Sequence, residues 1–412
     1  MFFAVLAGII AGAFYTVSPL TAWCIALAAI VLTLAGRRLP SSERRTLNIV
    51  LVTALVVRLA AIGALVVINA PMHDDESVGM LSGDEAYGLS RALRTRDVVT
   101  GVPVTQYDHF VVNDEYGRNS YVALLTGIQI LFGPTPYSMR LLNTLLFTIA
   151  AVLLFRAARS AFGPLPAFGG LIVMMFLPTL FLWSMSLLKE PLYLFGTTLV
   201  ITGAIGAAHA KAAATTRAAA IATALVGLTL VSDLRPGAVA LALLGLGCGV
   251  AGLAFFSSSL RVKAGVAIVA VLVLFAITSQ PSARQRITAA LDTVAKTHTG
   301  HVFTIGHAYK LLDEGFYFNP ITPAASTMTL TAAEAARYVV RAAVAFVTVP
   351  WPWQLASTRE LSYLPEQLIW YAIVALLPIG LVAGWRRDPV VTSLLAGYTP
   401  PSAACSRRRR SR

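Results

Sequence analysis

Apolar runs of 18 residues and more recur along this chain, separated by short loops that carry paired basic residues. A run of that length is enough for a helix to cross a hydrocarbon core about 30 Å thick. Lipid cannot satisfy backbone N–H and C=O groups, so a segment in it must close its hydrogen bonds internally. A membrane barrel would instead show alternating segments of about ten residues. Composition agrees: 57% of the 412 residues are hydrophobic and 12% are charged, half the roughly 25% charge of a soluble domain, and the mean hydropathy is +0.73. The expected fold is an all-α polytopic bundle of about ten to eleven spans, with interfacial helices and two large external loops.

The net charge is +13, of which Arg407, Arg408, Arg409, Arg410 and Arg412 supply five. The rest lies mostly in short loops between apolar runs. This is the positive-inside pattern of a membrane protein and not the footprint of a nucleic-acid binder. Cys24, Cys248 and Cys405 are too few and too scattered for a disulfide framework or a metal site. Residues 2–15 are apolar but lack a basic n-region, and a second apolar run follows at 20–35. Residues 1–36 therefore read as a helical hairpin and not as a cleaved signal.

Loop charge sets the expected topology. Arg37, Arg38, Arg44 and Arg45 mark an inner loop, and a helix over 47–70 leads out to a polar stretch, 71–120. Residues 121–133 are apolar but too short to span. Were they a span, Arg156 and Arg159 would fall outside, so 121–133 is expected to lie along the interface. From there 166–188 runs outward to Lys189-Glu190-Pro191, and 192–208 returns to Lys211 and Arg217. The run 218–231 exits to 232–237, and 238–256 returns to Arg261 and Lys263. Then 264–278 exits, and 368–385 returns to Arg386 and Arg387. The core is thus 37–278, followed by a second external segment, 279–367, with an interfacial helix at 332–353 that bears Arg337, Arg341 and an aromatic anchor. Residues 368–412 form a C-terminal helix and tail. A helix from Val390 that stops after Tyr398, before an arginine run, reads as a truncation or a shifted frame, or else as a basic tail gripping anionic lipid. No internal or inverted repeat is evident. The expected location is a plasma (inner) membrane.

Chemistry-bearing side chains concentrate in the first external loop. Asp74, Asp75 and Glu76 precede Gly83-Asp84-Glu85-Ala86-Tyr87, and Asn113-Asp114-Glu115-Tyr116 follows. The spacing from Glu85 to Leu93 is helical, with Tyr87, Ser90, Arg91 and Arg94 on one face. Asp84 after a glycine suits either an N-cap or a functional acid. Glu190, beside Lys189 and before Pro191, suits the first turn of a helix, where the dipole favours a carboxylate. An ionisable pair at membrane depth also points to function. Arg58, inside the 47–70 helix, must face protein or water, and is expected to pair with one of these acids.

The order of these motifs resembles the GT-C membrane glycosyltransferases, in particular the protein O-mannosyltransferase and aminoarabinose transferase branch. It runs from the Asp84-Glu85-Ala86-Tyr87 helix through Tyr121-Val-Ala-Leu-Leu-Thr-Gly-Ile-Gln-Ile-Leu-Phe-Gly133 and Ser138-Met-Arg140-Leu-Leu-Asn143 to Leu188-Lys-Glu-Pro191. The resemblance covers roughly residues 47–210. It implies a polyprenyl-phosphate-linked sugar as donor, inverting transfer outside the cytoplasm, Asp84 as catalytic base and Glu190 as a second acid, with Glu85, Tyr87 and Arg58 in support. Two features depart from the pattern: the second site is Glu beside Lys, and the C-terminal third is short. The chemistry fits the residues. A sugar phosphate has a good leaving group, so the site needs one carboxylate to accept a proton and cations for the phosphate. Lys189, Arg91, Arg235, Arg284 and Arg286 are the candidate cations. No ligand spacing demands a metal, although two acids could hold a divalent ion. The expected partners are the lipid-linked sugar, the bilayer and a glycan, lipid or protein acceptor. A transporter or flippase of lipid-linked sugars, or a surface-polysaccharide polymerase or ligase, is the alternative.

Overall fold

The structure is a computed structural model that describes residues 18–69, 83–114, 119–209, 213–235, 237–257, 264–265, 268, 272, 279–297, 300–304, 307–317, 329–355 and 357–406. The run 2–15, the acids Asp74, Asp75, Glu76 and Glu115, Tyr116, the cations Lys211, Arg261 and Lys263, most of 264–278 and the arginine tail lie outside these residues. The chain divides into two compact units, 1–242 and 243–412.

In the first unit the helices are α1 (Pro19–Ala35), α2 (Ser41–Asn69), α3 (Gly83–Thr100), α4 (Gln106–Asn113), α5 (Ser120–Phe132), α6 (Pro136–Phe162), α7 (Pro164–Phe176), α8 (Pro178–Met185), α9 (Glu190–Ala208) and α10 (Ala214–Leu234). The unit boundary falls within α11 (Ala238–Ser257). Helix α6 is the axis of this unit and packs against α1, α2, α7, α8 and α9. Its Phe147, Ala151, Val152 and Phe155 meet Leu47, Leu51 and Ala54 of α2 and Leu171 and Met175 of α7. Its other half, from Met139 to Leu145, meets α1, α3 and α5. Helices α9 and α10 touch backbone to backbone: a Cβ on Gly203 would lie 2.6 Å from the Ala220 carbonyl oxygen, and one on Gly227 would lie 2.6 Å from that of Gly196. Small residues at such a crossing replace the hydrophobic drive that lipid does not supply.

In the second unit, α12 (Pro281–Thr297) precedes a two-stranded antiparallel hairpin, β1 (His301–Thr304) and β2 (His307–Lys310), with His301 opposite Lys310. Then come α13 (Ala332–Thr348), α14 (Thr358–Leu361), α15 (Leu364–Arg387) and α16 (Pro389–Ser406). A small core of Ala295, Tyr309, Leu311, Leu312, Ala335 and Tyr338 joins α12, the hairpin and α13.

Among the described residues six helices are long and apolar enough to cross a membrane: α2, α6, α9, α10, α11 and α15; a bent pair makes up to seven. The expected run 121–133 is the 13-residue helix α5, below spanning length. Two expectations are corrected. The run 166–188 is not one helix: α7 and α8 meet at 59°, because Pro178 has no N–H to continue the ladder and disfavours α conformation at Leu177. The described residues are mostly helical, as expected, and one short hairpin at 301–310 interrupts them. Helix α16 does not stop at Tyr398 but continues to Ser406.

Helix α13 carries Val339, Val340 and Val344 on its exposed face, and Trp353 is exposed and stacked on Trp351. Its arginines, however, bind protein: Arg337 and Arg341 both pair with Asp313, at 2.8 and 2.6 Å. Hydrogen bonding with Glu334, then with Arg341 and Arg337, holds the Asp313 carboxyl down at about 2. A depressed folded-state value stabilises above the ordinary aspartate range near pH 4 and is lost as pH falls toward it. Pepsin cleavage of the intact protein within 291–349 should therefore accelerate as pH falls from about 4 toward 2. Asp313→Asn should flatten that dependence; superimposable profiles for the two proteins would refute the role of this carboxylate.

Candidate active site

Between α8 and α9 the chain leaves helical conformation for four residues, Ser186 to Lys189. Non-helical backbone inside an apolar bundle must find partners, and side chains of α6 and α3 supply them. Arg140 of α6 donates to the Met185 carbonyl at 3.0 Å, and the Asn143 amide lies 2.7 and 3.0 Å from the carbonyls of Ser186 and Leu188. Thr144 reaches the Ser184 carbonyl, and Tyr121 of α5 accepts from Asn143 at 2.8 Å. Glu85 of α3 accepts the Leu187 N–H.

Glu85 and Arg140 form the centre of this arrangement. The carboxylate is fully buried and meets the guanidinium at 3.0 and 3.3 Å through both of its oxygens. Such fork-to-fork pairing fixes geometry as well as charge. Tyr121 is buried against it. Burial pushes its phenol above the usual range, the Asn143 hydrogen bond opposes that, and the charges of Glu85 and Glu190 add to it. This phenol therefore stays protonated.

Glu190 opens α9, with Pro191 in the first turn. Arg235, just past α10, donates to its Oε1 at 2.8 Å and lies over the Tyr193 ring at 5.1 Å. The other oxygen, Oε2, is buried and has no hydrogen-bond partner among the described residues. Because Leu187 binds Glu85 and stands three residues before Glu190, the start of α3 and the start of α9 lie at one end of the unit.

Each expected site residue can now be placed. Asp84 stands in the first turn of α3 and is exposed; it lies within that turn and does not cap it from outside. Glu85 is the structural partner of Arg140. Tyr87 accepts from Arg91 at 2.9 Å. Arg91 is buried and also donates to the carbonyls of Val112 and Asp114, so its charge is directed at protein groups. Lys189 precedes α9 and is half-buried. Arg286 is exposed on α12, in the second unit, and the Arg284 side chain lies outside the described residues. The expectation for Arg58 differs from what is seen: among the described residues it pairs with no acid. It donates to Ser184 Oγ at 2.7 Å and to the carbonyls of Met175 and Ala54, and lies over the Phe181 and Phe147 rings. The break between α7 and α8 leaves the last carbonyls of α7 without their i+4 N–H groups, and Arg58 fills one of these vacancies.

Arg140 and Asn143 carried no role in the sequence reading, although Arg140, Asn143 and Thr144 form an i, i+3, i+4 polar stripe on an apolar helix, which is itself a signal. Beside this cluster is a cavity of about 720 Å³ lined by Arg91, Thr95, Asn113, Ser120, Thr126 and Asp233, among others; Asp233 accepts the Ser120 N–H. Among the described residues no three His, Cys, Asp or Glu side chains converge as a metal site would require.

Comparison with models of known families, with curated proteins and with solved structures finds no match to this chain.

Removing one member of a buried ion pair costs about 3–5 kcal/mol, whereas replacing both by apolar groups costs far less. Glu85→Leu alone should thus lower the thermal midpoint in detergent sharply, and adding Arg140→Met should recover much of the loss. A double variant no more stable than Glu85→Leu would show that the pair does not hold the break.

Proposed function

We propose that this protein is an integral membrane glycosyltransferase. It moves a sugar from a polyprenyl-phosphate donor to an acceptor hydroxyl on the extracytoplasmic face, with inversion at the anomeric carbon. The observation that carries the reading is the convergence of Asp84, Glu85 and Glu190 at one end of an apolar bundle, with Lys189 and Arg235 beside them. Loop charge supports the assignment of that end to the extracytoplasmic side, since Arg37, Arg38, Arg44, Arg45, Arg156 and Arg159 gather at the opposite ends of the same helices.

In this reading Asp84, exposed at the start of α3, accepts the proton of the acceptor hydroxyl. The acceptor oxygen attacks the anomeric carbon from the face opposite the phosphate. The bond from that carbon to the phosphate oxygen breaks, and polyprenyl phosphate leaves with the bonding pair. Lys189 and Arg235 meet the phosphate charge. Arg91 is the weaker candidate because its donors serve Tyr87 and two carbonyls. Glu85 holds α3, and with it Asp84, against the break before Glu190. Glu190 holds Arg235 by one oxygen and leaves the other for substrate.

One observation favours a second reading. A broken membrane helix is also a feature of carriers, and α7 and α8 form one. Yet Arg58, Arg140 and Asn143 tie that break to α2 and α6, which suits a fixed site better than a moving one.

Purified protein should release free polyprenyl phosphate from a polyprenyl-phosphate sugar in the presence of acceptor. Loss of a general base costs about 10²- to 10⁴-fold in kcat, so Asp84→Asn should lose that much with its thermal midpoint intact. Glu190→Gln should lower both turnover and donor affinity. Equal turnover by wild type and Asp84→Asn would remove Asp84 as base. Passage of unreacted donor across a vesicle membrane, without release of the phosphate, would favour the carrier.

A further inference from the structure

Six arginines gather where α1, α2 and α6 end, and they divide into two kinds. Arg156 donates to the carbonyls of Leu34 and Arg37, and Arg159 binds Glu43 through two contacts of 2.5 and 3.0 Å. These two are committed to protein, and they fix the loop 36–40 and the first turn of α2. The guanidinium groups of Arg37, Arg38, Arg44 and Arg45 are exposed and make no hydrogen bond or ion pair with the described residues. The loop that presents them is tightly shaped. Arg38 sits at φ 65, in the left-handed region. Arg44 packs on Gly36 so closely that a Cβ there would stand 2.7 Å from its Cγ.

A cavity of about 500 Å³ opens among these groups, lined by Leu39, Ser41, Arg44, Arg45, Asn48 and Ile49. Ser41, Arg44, Arg45 and Asn48 share one face of α2 by their i, i+3, i+4, i+7 spacing. Asn48 lines this cavity; its Oδ1 is buried with no hydrogen-bond partner among the described residues, and an amide oxygen can only accept. Further along α2 the outward side chains are apolar: Ile49, Val52 and Val56 are each more than two-fifths exposed. The site thus offers cations, then one acceptor, then an apolar track, and Arg58 with its contacts lies about 20 Å further up the helix.

We propose that this cavity binds an anionic phospholipid whose headgroup bears a hydroxyl, as phosphatidylglycerol does. Arg44 and Arg45 take the phosphodiester, assisted by Arg37 and Arg38. Asn48 Oδ1 accepts the headgroup hydroxyl, and an acyl chain runs along Ile49, Val52 and Val56. The apolar track selects a lipid over a free phosphate. The inference is independent of the glycosyl-transfer reading, because no residue of that site takes part.

The test is native mass spectrometry of the full chain released from mixed micelles containing phosphatidylglycerol, phosphatidic acid and phosphatidylcholine. Phosphatidylglycerol should be retained over both others. At about 1 kcal/mol per arginine near a membrane surface, Arg44→Gln with Arg45→Gln should weaken its retention about twenty- to thirty-fold. Arg386→Gln with Arg387→Gln, another basic pair, should change it little. Asn48→Ala, which leaves every charge in place, should erase the preference over phosphatidic acid while sparing that over phosphatidylcholine. Equal losses from the two arginine pairs would mean bulk charge and overturn the proposal. So would displacement of the lipid by inorganic phosphate as readily as by phosphatidylglycerol, or unchanged selectivity in Asn48→Ala.

Discussion

The buried pair of Glu85 and Arg140 is the constraint on which the rest of the first unit depends. A membrane helix needs no side chains to satisfy its backbone, but a chain that breaks helix at Leu177 and again from Ser186 to Lys189 does. The bundle answers with charge. Arg58 serves the first break, and Arg140 with Asn143 serves the second. A guanidinium in apolar surroundings is costly unless its own charge is met. For Arg58 two aromatic rings and three oxygens suffice; Arg140 has a carboxylate. That carboxylate comes from α3, so the requirement to neutralise Arg140 also fixes the first-loop helix against the start of α9. The start of α3 is thereby held at the break that precedes Glu190.

This coupling explains why adjacent acids in the sequence end in opposite environments. On a helix, residues one apart differ by about 100° around the axis. With Glu85 aimed at Arg140, Asp84 cannot share that face and turns outward. The buried acid is locked by a bidentate cation and a backbone N–H; the other is exposed. Their order could not have been reversed without moving α3 by a quarter-turn.

Much of the fold was legible because the bilayer leaves few options. The runs that became α2, α6, α9, α10, α11 and α15 stood out by length and apolarity, and α5 by being too short once Arg156 and Arg159 were kept on the basic side. What failed to show in the sequence is tertiary. Pro178 marked a possible break, but an apolar run of sufficient length read as one span through it. Arg58 was expected to seek an acid because isolated charges usually do; its partners are instead the Ser184 hydroxyl, the Ala54 carbonyl and the Met175 carbonyl, the last of which is left open because α7 stops. The hairpin at 301–310 has strands of four residues, too short for alternation to stand out, and its pairing with α13 through Asp313 is a long-range contact. For the site, the acids were visible as residue types at helix starts, whereas Arg140 and Asn143 acquire meaning only once the Ser186–Lys189 backbone lies beside them.

The arginines of the first unit then sort by what they neutralise. Arg58, Arg91, Arg140, Arg156 and Arg159 spend their donors on carbonyls, a phenol or a carboxylate of the protein, and each closes a place where the helical ladder stops or a loop begins. Arg235 shares its charge with Glu190 and a ring. Arg37, Arg38, Arg44 and Arg45 close no such place among the described residues. A fold that aims so many donors inward to mend its own backbone has no structural need for four more at one helix end. Cations left in that state near an apolar track are matched, in charge and in shape, to a lipid phosphate. By the same reasoning Glu190 Oε2, buried with no hydrogen-bond partner among the described residues, is the acid oxygen the fold does not consume, whereas Glu85 is committed to Arg140.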